Sequence, residues 1–189
     1  MEYRIANRIC DVQGSMIREL FKLANKPGMI AFGGGNPSAE SFPTEAIAQI
    51  ASEILQKDPT SMLQYGLSEG YTPLRETMKE YLSAQEGFDF DQNELFIVSG
   101  GQQGADITAK VLVNSGESVI AEDPSFVGCL NTFRSYGIHL AGVPLTSDGM
   151  DIEKLSQAIQ EHKNAKLIYI IPTFQSARLS ISWQCNMIC

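Results

Sequence analysis

The 189-residue sequence has few of the residues that build metal centres or disulfide frameworks. It contains only two histidines and four cysteines, and no two cysteines form a Cys-x-x-Cys pair. Paired cysteines and histidines at short spacing are the usual signature of a structural zinc site. We therefore expect no bound metal and a reduced protein. The residues concerned are Cys10, Cys129, Cys185, Cys189, His139 and His162.

Basic residues and long apolar runs are also scarce. Lys and Arg total 14 against 22 Asp and Glu, which gives a formal net charge of −8. A negative charge of this size opposes binding to the phosphate backbone of a nucleic acid. No apolar run approaches the ~20 residues of a membrane helix, and the first residues lack the pattern of a signal peptide. We therefore expect a cytoplasmic protein that binds neither nucleic acid nor membrane.

Hydrophobic periodicity predicts helices in the first half of the chain and alternating strands and helices from residue 95 onwards. Short apolar runs predict strands over 95–99, 118–122, 138–143 and 166–171. Helical spacing predicts helices over 43–57, 73–84, 102–114, 125–136 and 152–163. Three strand-helix units in succession indicate an α/β fold, a mainly parallel sheet with helices on both faces. The predicted strand over 166–171 is apolar enough to be covered on both of its faces.

Two strand ends carry residues suited to a ligand. Gly100-Gly101-Gln102 stands where a strand gives way to a helix, and free backbone N–H groups at such a point bind anions. The next strand ends close to Phe126. Taken singly, a glycine pair is more often a structural turn and a phenylalanine more often part of the core. An anion cradle beside an aromatic ring, however, suits a flat phosphorylated ring.

Seven segments, in order and spacing, resemble the fold type I aminotransferases that depend on pyridoxal phosphate. Within that family they are similar to the 2-aminoadipate and aromatic-amino-acid branch. The segments are Ser15-Met-Ile-Arg-Glu-Leu, Gly33-Gly-Gly-Asn-Pro-Ser, Leu63-Gln-Tyr-Gly, Glu69-Gly-Tyr-Thr-Pro-Leu-Arg, Val98-Ser-Gly-Gly-Gln-Gln, Glu122-Asp-Pro-Ser-Phe and Ile171-Pro-Thr-Phe-Gln. The resemblance implies amino-group transfer from an α-amino acid to a 2-oxo acid, with pyridoxal 5′-phosphate as the cofactor and a homodimer as the assembly.

The resemblance also implies roles for the cofactor-side residues. Gly100, Gly101 and Gln102 would hold the cofactor phosphate, and Phe126 would stack on the pyridine ring. Tyr65 would reach the phosphate bound by the partner subunit, which requires a dimer. A place for Tyr65 in the core is the plain structural alternative.

On the substrate side, the resemblance implies that Gly34 and Gly35 pass close to the substrate. Ser15 and Arg18 would contact its distal end. The alternatives are that the glycine run is an ordinary turn and that Arg18 is a solvated helix charge.

The resemblance ends at Gln175, where the family continues into Asn-Pro-Thr-Gly. Residues 176–189 diverge from it, so we expect three parts: N-terminal helices and a substrate-side loop (1–42), a partial cofactor-binding large domain, incomplete at its C-terminus (43–175), and a divergent tail (176–189). In the family, the lysine that forms the Schiff base lies downstream of this motif, whereas the last lysine here is Lys166. No catalytic residue is therefore assigned, and we expect no turnover by this chain alone.

Two alternatives to an aminotransferase sequence stay open at this point. One is a non-enzymatic fragment or effector-type domain that pairs with a full-length relative. The other is the effector half of a transcription regulator, which the acidic charge disfavours.

Overall fold

The computed structural model describes residues 6–10 and 37–173. Their contacts fall into two compact units, one within Asn36–Ser99 and the other within Met1–Gly35 and Gly100–Cys189. No helix in these described ranges is long and apolar enough to cross a membrane.

The helices, in chain order, are α1 Asn7–Cys10, α2 Thr44–Lys57, α3 Pro59–Leu63, α4 Thr72–Glu86, α5 Gly100–Leu112, α6 Val127–Ser135 and α7 Ile152–Glu161. The strands are β1 Ser118–Asp123, β2 His139–Thr146, β3 Gly149–Met150 and β4 Ala165–Tyr169. A short 3-10 turn covers Ala39–Ser41.

The Asn36–Ser99 unit is helical, as its periodicity predicts. Helix α2 agrees with the predicted 43–57, and α4 agrees with 73–84 within two residues. Helix α4 ends at Gly87, whose φ of +69° is the left-handed conformation that glycine adopts without steric cost. It begins at Thr72, one residue before the predicted start, and Tyr71 is its N-cap.

Three parallel strands and one short antiparallel strand form the sheet of the other unit, in the order β3-β2-β1-β4. Strand β1 lies in the middle, parallel to both β2 and β4. The crossover from β1 to β2 runs in one direction and the crossover from β2 to β4 runs back across β1. Because such crossovers are right-handed, the two connecting helices, α6 and α7, belong on opposite faces.

Packing on β1 confirms this arrangement. Val119 points into a core formed with α5 and α6, whereas Ile120 points into a second core formed with α7. The alternation follows from the two-residue period of a strand. The predicted α/β fold with helices on both faces is therefore confirmed.

Three features differ from the prediction. Residues 95–99 form no strand, because their backbone groups bond outside any ladder: Ile97 N donates to Glu69 O (3.0 Å) and Leu95 O accepts from Arg75 Nε (2.8 Å). Strand β4 is not covered on both faces, since Ile168 is 48% exposed, and it lies at the edge of the described sheet. The short elements α3 and β3 have no signal in the periodicity.

Candidate functional site

The first turn of α5 has open space around its two glycines. Gly100 has a φ of +80°, and a Cβ built on either Gly100 or Gly101 meets no atom within 4 Å. Beside Gly101, a cavity of about 230 Å³ extends along α5 as far as Tyr169. The first N–H groups of a helix have no intrahelical acceptor, and the dipole of a 13-residue helix adds partial positive charge there. An anion can therefore reach the backbone at this turn.

The Gln102 side chain joins the two helices that pack on one face of the sheet. Its Nε2 donates to Gly128 O (3.1 Å) and to Thr132 Oγ1 on α6. The Thr132 hydroxyl in turn donates to Gly128 O (3.2 Å). Both donor hydrogens of the amide are thus directed at α6, and the anion-facing donor that Gln102 retains is its backbone N–H in the first turn of α5.

Phe126 stands directly before α6, just beyond the carboxyl end of β1. It is 39% exposed, so it is not a core residue. A Cβ built on Gly128 would lie 2.5 Å from Phe126 Cε1 and 2.6 Å from Gln102 Oε1. The structure therefore brings the Gln102 side chain and the predicted aromatic ring to one place, with Gly128 between them.

Tyr65 belongs to the other unit, the one within Asn36–Ser99. It is 99% exposed and borders a cleft of about 600 Å³ that is also lined by Tyr71 and Asp58. The core alternative for Tyr65 is therefore wrong within the described residues. Ser15, Arg18, Gly34 and Gly35, the predicted substrate-side residues, lie outside the described residues.

Buried polar groups near the carboxyl ends of β1 and β4 have no role assigned from the sequence. Glu122 is 7% exposed, and its Oε2 accepts a hydrogen bond from Ile171 N (3.1 Å), which ties the end of β1 to the segment after β4. Burial raises the pKa of Tyr169, and the Cys129 thiol and the Glu122 carboxylate raise it further. Ser125 is 6% exposed, and its Oγ has no hydrogen-bond partner among the described residues.

A second side-chain link, one turn beyond Gln102, joins α5 to Tyr136, the C-cap of α6. Tyr136 Oη donates to Asp106 Oδ1 (3.0 Å), and this hydrogen bond, more than burial, raises the pKa of Tyr136. Residues 102 and 106 share one face of α5 because they are four residues apart, as do 132 and 136 on the neighbouring helix. That spacing places the polar residues on one face of each helix, but it does not identify which helix they meet.

No group of three or more His, Cys, Asp or Glu side chains in residues 6–10 and 37–173 is arranged to hold a metal ion.

Comparison with known proteins identifies the family. The sequence profile described as aminotransferase class I and II matches residues 27–173, more than half of the chain. The chain belongs to this family. This family member has the fold of the type I aminotransferases, as predicted, and its β1–α6 corner lies within the matched range.

Among its relatives, aromatic-amino-acid aminotransferase 1 of Thermococcus litoralis is 34% identical over 93% of this chain and 43% of its own length. The 2-aminoadipate transaminase of Thermus thermophilus is 36% identical over 87% of this chain and 40% of its own length. The crystal structure of Pyrococcus horikoshii kynurenine aminotransferase in complex with PMP, KYN and KYA superimposes with a TM-score of 0.83, at 35% identity over 90% of this chain and 43% of that one. The chain thus spans less than half the length of these relatives.

Proposed function

We propose that this family member contributes the phosphate-binding turn and the ring-stacking residue of a pyridoxal 5′-phosphate site in an aminotransferase. The reaction would transfer an amino group from an α-amino acid to a 2-oxo acid. The observation that carries the proposal is that the half-exposed Phe126 ring and the side chain of Gln102, which follows the open Gly100-Gly101 turn, meet at Gly128. A relative with the same fold was crystallised with PMP, the amine form of this cofactor.

The residues present fit a phosphorylated ring. The turn at Gly100 and Gly101 offers backbone donors and no Cβ that would hold an anion away. The Phe126 ring offers an apolar face for stacking. The unpartnered Ser125 hydroxyl next to it in the chain retains hydrogen-bonding capacity that nothing in the described residues uses. The fit concerns the phosphate and one face of the ring.

Each residue has a separate task in this proposal. The N–H groups of Gly100, Gly101 and Gln102 donate to phosphate oxygens, and Phe126 keeps water from one face of the ring. When bound, the cofactor supplies an electron sink for the substrate α-carbon. The contacts of Ser15, Arg18, Gly34 and Gly35 with the substrate stay a prediction from the resemblance.

The affinity expected of these contacts is low. Two or three charge-assisted hydrogen bonds contribute about 1.5–3 kcal/mol each, and the helix dipole adds up to ~2 kcal/mol. Association costs an estimated ~4–15 kcal/mol. Binding is therefore expected to be weak.

Lys166 does not serve as the covalent lysine in this proposal. Its Nζ forms an ion pair with Glu117 Oε1 (3.5 Å), and both residues lie where β1 and β4 begin, at the opposite end of those strands from Phe126. We therefore propose that these 189 residues bind the cofactor without a covalent bond and do not transaminate alone.

The test is equilibrium dialysis of the full chain against increasing concentrations of pyridoxamine 5′-phosphate. The amine of this ligand forms no imine with lysine side chains. We expect saturable binding at one site that inorganic phosphate displaces. Gly101→Glu places a negative charge in the turn and should weaken binding at least about tenfold, equivalent to ~1.4 kcal/mol. Ser156→Glu, an equal charge change at an exposed position of α7, should leave binding unchanged. Absence of saturable binding would contradict the proposal.

We also propose that the unit within Asn36–Ser99 forms the contact of a homodimer. Helix α2 exposes the apolar stripe Ile47, Ile50 and Ile54, and Tyr65 is exposed in the segment that follows α3. Apolar side chains exposed together on one helix face are typical of an interaction surface. A dimer would bury them and would give Tyr65 the partner that the resemblance implies.

Sedimentation equilibrium tests the dimer. Ile50→Glu places a charge within the stripe and should shift the protein towards monomer. Gln56→Glu makes a similar charge change on the opposite side of α2, where Gln56 Nε2 donates to Ser52 Oγ (3.1 Å), and should leave the dimer intact. A monomeric wild-type chain at all concentrations, or equal effects of the two variants, would contradict the proposal.

A further inference from the structure

We infer that Gly128 is a positioning residue: the missing side chain at this position sets where the Phe126 ring and the Gln102 amide stand. The evidence is their crowding around it. A Cβ built on Gly128 would be 2.5 Å from Phe126 Cε1, 2.7 Å from Phe126 Cζ and 2.6 Å from Gln102 Oε1. Real Cβ atoms essentially never approach another heavy atom so closely. The consequence for ring stacking rests on the proposed function.

Backbone conformation does not explain the glycine. Gly128 is the second residue of α6, and its φ is outside the left-handed region that favours glycine, unlike that of Gly100 or Gly137. Alanine fits a helical backbone better than glycine does. The crowding at this position therefore comes from the side chains around it.

The two crowding groups differ in how freely they move. Gln102 Nε2 donates to Gly128 O (3.1 Å) and to Thr132 Oγ1, so the amide loses both hydrogen bonds when it retreats. The Phe126 ring edge is the end of a side chain that is 39% exposed, and no such hydrogen bond holds it. A methyl group at position 128 should therefore displace the ring first, and with it the surface on which a pyridine ring would stack.

Nuclear magnetic resonance on the full chain with ¹³C-labelled phenylalanine rings tests the inference without any ligand. In the wild type we expect nuclear Overhauser effects from the Phe126 ring protons to the Gly128 α-protons and to the Gln102 side-chain amide. In Gly128→Ala, the contact with the Gln102 amide should be lost and the ring resonances should shift, while the backbone resonances of the sheet stay in place. Gly66→Ala, the same change where a Cβ meets nothing within 4 Å, is the control. Unchanged Phe126 contacts in Gly128→Ala would overturn the inference.

Binding of pyridoxamine 5′-phosphate connects this geometry with the site. We expect Gly128→Ala to raise the dissociation constant at least tenfold, and Ser156→Ala, at an exposed position of α7, to leave it unchanged. Equal affinity of Gly128→Ala and the wild type would overturn the role in ring stacking. Failure of the wild type to bind would instead refute the proposed function, and the resonance measurement would still decide whether Gly128 positions the ring.

A variant lacking both crowding groups covers the case in which Gly128→Ala does not fold. In the Gln102→Ala/Phe126→Ala background, the methyl group at position 128 meets neither of them. Folding of the triple variant as well as its double-variant parent supports the inference. A loss of folding that persists in this background overturns it, because crowding by Phe126 and Gln102 is then not the cause.

Discussion

Gly100 and Gly101 offer a matched pair of substitutions in the phosphate turn. At both positions an added methyl group meets open space, but only Gly100 has a left-handed φ, +80°. An L side chain in that conformation costs about 1–2 kcal/mol. At Gly101, which is helical, alanine should instead stabilise the fold by up to ~0.5–1 kcal/mol. The two variants should therefore differ by roughly 1.5–3 kcal/mol in the free energy of unfolding.

Urea denaturation followed by circular dichroism measures this difference. At a urea m-value of about 2 kcal/mol/M, the midpoints of Gly100→Ala and Gly101→Ala should be separated by about 1 M. Both methyl groups stand where the phosphate would approach, so both variants should bind pyridoxamine 5′-phosphate about tenfold more weakly. Gly101→Ala is thus expected to gain stability while losing affinity. Equal midpoints, or Gly101→Ala less stable than Gly100→Ala, would refute the reasoning about this turn.

Three further substitutions test the packing that carries the site. Phe133 is 2% exposed, and Phe133→Ala should lower the free energy of unfolding by about 3–5 kcal/mol in urea titrations; a loss below 1 kcal/mol would contradict its place in the core. Because Asp106 raises the pKa of Tyr136, the hydrogen bond stabilises the fold below pH 10, and this contribution is lost as the pH rises through the folded-state pKa. Thermal melts between pH 8 and 11 should therefore fall more steeply for the wild type than for Tyr136→Phe, and parallel curves would contradict it. Asp151 accepts from Lys154 N (3.0 Å), so Asp151→Ala should cost ~0.5–2 kcal/mol, and an unchanged melting temperature would show that this cap is dispensable.

Local sequence patterns were sufficient to predict most of the strands and helices of the unit that contains the sheet. The strands β1, β2 and β4 and the helices between them were predicted because each has its own periodicity and its own stop signal, such as Gly137 after α6. The failure at 95–99 shows the limit of that method. Those residues have the composition of a strand, but strand pairing requires a neighbour, and their backbone groups bond to Glu69 and Arg75 instead.

The candidate site was predictable in outline for a related reason. Parallel strands align their carboxyl ends, so a glycine turn and an aromatic residue that follow successive predicted strands are expected to meet. The first of those strands, 95–99, does not form, and the contact between α5 and α6 brings Gln102 to Phe126 instead. The partners of Gln102 were not predictable, because Gly128 and Thr132 are 26 and 30 residues away and come close only through the packing of α5 on α6. The role of Gly128 is hidden in the same way, since a glycine in a sequence gives no sign of what surrounds it.

The two side-chain links between α5 and α6 have a mechanical consequence. With a single hydrogen-bonded contact, one helix could rotate or slide against the other. The second hydrogen-bonded contact, between Asp106 and Tyr136 one turn farther along, opposes that movement, because both contacts would have to break together. The first turn of α5 is thereby held at a fixed distance from Phe126. The hydrogen bonds that fix this distance run between the helices and touch no ligand.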